Sequence, residues 1–97
     1  MISIKEASKM RSGIEVAGHI TEIKEPRTIN LKTGGTLDVR DSTLEDESGK
    51  ITLTLWGEDG NLVKKGSKVI IKNGYTNEFK GNVSLTKGKF GSIEVVQ

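Results

Sequence analysis

The most distinctive chemistry in this sequence lies in three aromatic side chains, Trp56, Tyr75 and Phe79. Trp56 is the only tryptophan and closes the run KITLTLW. In that run Ile51, Leu53 and Leu55 alternate with Lys50, Thr52, Thr54 and Trp56. Period two means a strand with its aliphatics on one face. The indole is therefore expected on the opposite, polar face, where a large apolar ring needs cover from another segment or from a partner. Thr52 and Thr54 beside it are β-branched and small, so they hold the strand without crowding a ligand laid across it.

Tyr75 and Phe79 belong to the stretch NGYTNEFKGN, with Phe79 at an expected hairpin tip. Each also has a packing reading. Tyr75 follows Val69 and Ile71 in phase and fits a core position with its hydroxyl at the surface. Phe79 fits a ring folded back over the end of a barrel. On the surface reading, flat rings offer stacking platforms to the bases of a single-stranded nucleic acid. Each stack is worth about 1–3 kcal/mol, so three platforms supply roughly 3–9 kcal/mol gross. Micromolar binding corresponds to about 8 kcal/mol. Stacking can then carry much of the affinity and leave only part to charge.

Arg27 and Lys32 in the first loop, together with Lys72, Lys80, Lys87 and Lys89, are the candidate phosphate contacts. Each also reads as a solubilising surface residue. Net charge is only +2, a weak pointer to nucleic acid. Its distribution says more: residues 1–61 hold 8 basic and 11 acidic side chains, and residues 62–97 hold 7 lysines against 2 acids. Such an asymmetry is compatible with an anionic partner on one face. Phe90, in KGKFGS, is ambiguous, with packing favoured over a surface place.

The elements that must position these residues are short. SIKEASKM has Ser3 three residues before Glu6, a capping-box spacing, and Ile4, Ala7 and Met10 share one side of a short helix that Gly13 ends. IEVAGHITEIKEP alternates as strand one, with Gly18 marking a bend or a close backbone approach and Pro26 ending it. RTINLKTGGT reads as a loop or hairpin turn around Gly34 and Gly35. LDVRDSTLED is strand two, in which Leu44 is out of phase with Leu37 and Val39, so a β-bulge is expected between them. KITLTLW is strand three, GEDGNLVKKG a short helix or loop, and SKVIIKNGY strand four. VSLTKG and SIEVVQ are a last pair of extended pieces. Short strands, glycine-rich turns and a small helix point to an all-β barrel or sandwich. A barrel closes its edges, which suits a chain of 97 residues.

At 33% hydrophobic and 29% charged residues the chain has a globular balance, and disorder is not expected. No apolar run approaches the length of a membrane span, and no signal-peptide pattern is present. Cysteine is absent, which removes disulfides, thiolate zinc sites and a cysteine nucleophile and fits a reducing interior.

LEDESGKITLTLWGEDG followed by VKKGSKVIIKNGYTNEFKGNVSLTKGK resembles the OB-fold of archaeal single-stranded DNA-binding proteins and replication protein A, over roughly residues 3–95. The acidic turn with its LTLW-G run and the F-K-G run are fairly specific together. The resemblance implies a five-stranded Greek-key OB-fold barrel with a short N-terminal helix and a short helix or loop between strands three and four. It implies sequence-tolerant single-stranded DNA binding in replication, repair and recombination. Trp56, Tyr75 and Phe79 match the family's stacking aromatics and Arg27 an arginine common after strand one. The family often has tryptophan at the place of Tyr75, so weaker binding is expected here. Residues 1–97 read as one OB-fold domain, either a short stand-alone binder or, as favoured, one domain of a larger replication protein A with several OB-folds. The implied setting is cytoplasmic and nucleoid-associated, with other replication or repair proteins as partners.

No enzyme is expected. His19, the only histidine, has no local nucleophile and orienting group with which to form a catalytic set. Glu45, Asp46 and Glu47 match no calcium-loop spacing, and TGG lacks the following lysine and hydroxyl of a phosphate loop. No cofactor or metal is expected. Two alternatives to DNA stay open: RNA, whose 2′-hydroxyl would need its own contacts, and an acidic partner peptide bound in the groove of a protein-interaction OB-fold.

Overall fold

The computed structural model describes residues 1–96; the side chains of Phe79 and Lys89 lie outside the described part. Helix α1 spans Ile4–Ala7, followed by β1 (Ile14–Ile23), β2 (Arg27–Asn30), β3 (Thr36–Asp46) and β4 (Gly49–Trp56). Helix α2 (Asp59–Leu62) leads into β5 (Lys68–Phe79) and β6 (Asn82–Val96). The strands run β1-β5-β6-β4-β3-β2, and an added β1–β3 pairing closes the first five into a ring. Among the described residues the strand–strand ladders are antiparallel except β4–β6, and Ile2 adds a parallel bridge to Val16.

Closure follows from alternation. Ile14, Val16 and Ile20 of β1, Leu44 of β3, Ile51, Leu53 and Leu55 of β4, Val69 and Ile71 of β5 and Leu85 of β6 meet in one buried cluster. Ile4 and Ala7 of α1 join it, as does Val63 just after α2. Gly18 is where two strands come closest: a Cβ there would lie 2.7 Å from the Glu45 carbonyl oxygen, the close approach expected from its place in strand one.

Asp46 ties α1 to the β3–β4 turn. Its Oδ2 accepts from Ile4 N at 2.9 Å, and its Oδ1 accepts from Ser48 N at 2.7 Å, Ser48 Oγ at 2.5 Å and Gly49 N at 3.2 Å. Ser3 caps α1 by accepting from Glu6 N at 3.2 Å. The helix is shorter than its apolar spacing suggests: Ile4 and Ala7 are buried and Met10 is exposed.

Three local expectations are corrected. First, the RTIN segment is a strand, β2, hairpinned onto β3 around residues 31–35, with Leu31 N donating to Gly35 O at 3.1 Å. Second, the last two extended pieces are one continuous strand, β6. Third, no bulge interrupts β3 against β4, because the ladder runs in step from Val39↔Trp56 to Asp46↔Gly49. Leu44 faces the core, and Val39 faces the other way, buried outside the core cluster between Arg27 and Trp56.

Candidate nucleic-acid interface

Directly paired residues of neighbouring strands lie on one side of a sheet. The pairings therefore define three rows across the outer face of the ring. One row runs Arg27, Val39, Trp56 across β2, β3 and β4. The next runs Asp41, Thr54, Thr86, Tyr75 across β3, β4, β6 and β5. The third runs Thr43, Thr52, Ser84, Asn77 across the same four strands. Trp56, Thr52, Thr54, Arg27 and Tyr75 thus share one continuous polar face with two aromatic rings. Thr54 and Thr86 lie between those rings, and both are buried.

Trp56 is 39% exposed, as its place in the alternation predicts. Its indole Nε1 donates to Thr86 Oγ1 at 2.7 Å, and Thr86 Oγ1 donates to the Thr54 carbonyl at 3.3 Å. Thr54 Oγ1 donates to Asp41 Oδ1 at 3.3 Å, and Arg27 Nη2 lies 3.5 Å from Asp41 Oδ2. The Arg27 side chain remains mostly exposed, in the same row as Trp56 with Val39 between them.

Tyr75 reaches this face by a break in register. Against β1, Ile71 stands opposite Val16 and Gly74 opposite Ile14, so β5 carries one extra residue in that span. Asn73, at a φ of 54°, sits in the break. Gly74 then turns inward, where a Cβ would meet Ile71 Cγ2 at 3.0 Å and Leu85 Cδ1 at 3.2 Å. Tyr75 turns outward and is half-buried. The in-phase core reading of Tyr75 is thereby removed. Trp56 and Tyr75 sit two strands and one row apart, roughly 12 Å between backbones from ordinary sheet spacings.

The candidate cations are dispersed. Lys32 is exposed in the β2–β3 hairpin loop, beyond the Trp56 row. Lys80 is exposed at the tip of the β5–β6 hairpin, beyond the Thr52 row, next to Phe79, whose backbone pairs with Asn82. The two hairpin tips therefore stand at opposite ends of the face. Lys72 is not brought to the rows: it pairs with Ser92 on the far side of the register break, with Nζ 3.8 Å from Glu94 Oε2. Lys87 is turned to α2, its Nζ 3.1 Å from Asp59 Oδ2. The ring of Phe79 and the side chain of Lys89 lie outside the described residues.

Thr86, Ser84, Asn77, Asp41 and Thr43 are part of the face and were not singled out from the sequence. VSLTKG carried a signal for two of them, since Ser84 and Thr86 flank Leu85 as Thr52 and Thr54 flank Leu53. Among the described residues no group of three or more His, Asp or Glu is placed to hold a metal ion. Exposed His19 stands between Glu45 and Lys68 in the ladder. Among the described residues no helix is long and apolar enough to cross a membrane.

A closed five-strand ring with two helical caps and an outer face flanked by two hairpins defines an OB-fold. Residues 2–95 match the replication protein A OB domain family, and the chain belongs to it. The family is non-enzymatic. The single-stranded DNA binding protein Ssb of Saccharolobus solfataricus is 36% identical over 75 residues, which cover 77% of this chain and 50% of that protein. The chain spans about half the length of that curated relative. The second OB-fold domain of replication protein A from Methanococcus maripaludis superposes with a TM-score of 0.75 at 19% identity, covering 99% of this chain and 94% of that one. A chain of a replication protein A heterotrimer bound to single-stranded DNA gives 0.76 at 15% identity, covering 99% of this chain and 24% of that one. These two likenesses speak to the fold.

Proposed function

We propose that this domain binds single-stranded DNA with little sequence preference, as a component of replication, repair and recombination. Bases stack on Trp56 and Tyr75, and on Phe79 by the family resemblance. The backbone phosphates meet Arg27 and the lysines of the two hairpin tips. The observation that carries the reading is the outward, half-exposed indole of Trp56 on a sheet face of threonines, shared with Tyr75. Membership of the replication protein A OB domain family supports it, as does the single-stranded DNA binding of the Saccharolobus relative. Other OB-folds and replication or repair proteins are its proposed partners.

The acidic-peptide reading is less well supported. Lys72 and Lys87, two of the candidate cations, already face Glu94 and Asp59, and Asp41 adds a negative charge at one end of the middle row.

The test is fluorescence anisotropy of a labelled oligo(dT) strand and of a duplex of equal length, with the native chain and with Trp56→Ala. The native chain should prefer the single strand, and Trp56→Ala should lose about 5- to 150-fold in affinity, the equivalent of one stack. Equal affinity of the two proteins, with native circular dichroism, would contradict the reading.

A further inference from the structure

We propose that Thr86 is a positioning residue for Trp56: its buried hydroxyl fixes the indole so that the ring offers its face to a ligand and withholds its N–H. The proposal rests on the single-strand reading above.

Thr86 is 2% exposed and stands in the row between Thr54 and Tyr75. A threonine hydroxyl has one proton to give and lone pairs to accept with. Here the proton goes to the Thr54 carbonyl at 3.3 Å, which leaves a lone pair for the indole N–H of Trp56 at 2.7 Å. The direction of both bonds is thereby set. The bond also tethers a ring rooted on β4 to β6, one row away. A tryptophan side chain has two rotatable bonds, and a hydrogen bond at the far edge of the ring restrains both. The ordering that a stacking partner would otherwise impose on binding is already present in the free protein.

The same bond bears on what the ring can read. Bases are told apart by donors and acceptors at their edges, and the indole N–H is the ring's only donor. With that donor committed to Thr86, Trp56 presents only its π-face, which every base can match. Thr86 thus serves both preorganisation and tolerance of sequence without touching the ligand itself.

Trp56 is the only tryptophan, so the protein gives a single indole N–H resonance, which reports this bond directly. In the native, DNA-free protein that proton should exchange slowly with water. T86V keeps the side chain's shape and removes the hydroxyl. It should shift the indole resonance, speed its exchange and weaken oligo(dT) binding about 3- to 10-fold. T86S retains the hydroxyl and should restore both. An unshifted indole resonance in T86V, or affinity within about twofold of native, overturns the proposal. So does a native indole N–H that exchanges as fast as that of free tryptophan, a measurement that needs no variant to fold. If the native chain binds no oligo(dT) at all, the single-strand reading falls and this proposal with it. If native and T86V chains bind equally well, this proposal falls alone.

Discussion

Asn73, at a φ of 54°, occupies the register break in β5 that puts Tyr75 opposite Thr86 on the outer row and turns Gly74 inward. Asparagine tolerates this left-handed region better than most residues, and the glycine next to it has no Cβ to meet Ile71 and Leu85. Two adjacent residues thereby reverse which face the rest of the strand presents.

Gly74→Ala should destabilise the fold by about 1–3 kcal/mol, the usual range for forcing atoms into a filled interior. Its new methyl would meet Ile71 Cγ2 at 3.0 Å and the Thr86 carbonyl oxygen at 3.1 Å. Gly18→Ala should cost more, because there the obstacle is a backbone carbonyl oxygen at 2.7 Å. Urea unfolding of both variants measures the order.

Tyr75 offers a smaller stacking surface than the tryptophan common at its place in the family. Tyr75→Trp should therefore tighten oligo(dT) binding, and Tyr75→Ala should weaken it by about 1–3 kcal/mol, the value of one stack. Isothermal titration of the two variants beside the native chain checks both directions.

The cations differ in place and should differ in effect. Arg27→Gln removes a guanidinium in line with Trp56 and should lower the slope of log affinity against log salt by roughly 0.7, one phosphate contact. Lys72→Gln, across the register break and paired with Glu94, should leave slope and affinity unchanged. A salt series on each variant decides this.

Asp46 makes the fold acid-sensitive at one identifiable turn. Its slight burial raises the pKa, but hydrogen bonds from the Ser48 hydroxyl and from the Ile4, Ser48 and Gly49 amides outweigh that and hold the carboxyl below its ordinary value. A folded pKa below the unfolded one favours folding wherever the group is charged in the unfolded chain, above about pH 4. That contribution is lost as pH falls through the folded value. Asp46→Asn should lower stability at neutral pH and flatten the acid limb of the profile, which thermal melts between about pH 2 and 7 would display.

The outward Trp56 was legible because KITLTLW alternates without a break and its ladder with β3 never slips. The closed ring followed from several such alternations in a short chain. Tyr75 was harder to read, since simple counting from Val69 and Ile71 puts it in the core. The Asn-Gly pair just before it was the available signal, because asparagine accepts positive φ and glycine fits where a Cβ does not. Val39 looked like a core residue and implied a bulge, whereas it is buried on the outer face between Arg27 and Trp56. Periodicity reports that a residue is apolar, not which layer covers it. Thr86 and the Lys87–Asp59 pair could not be read locally, since their partners lie about thirty residues away in sequence and meet them only once the ring closes.

Intrinsic Trp56 emission during titration with a single-stranded oligonucleotide tests the central claim most directly, because the one tryptophan is also the proposed platform. Stacking predicts quenching that saturates in step with binding followed by anisotropy and reverses when salt displaces the strand. Emission that stays unchanged while anisotropy reports a saturated complex would place the strand elsewhere on the domain and contradict the account.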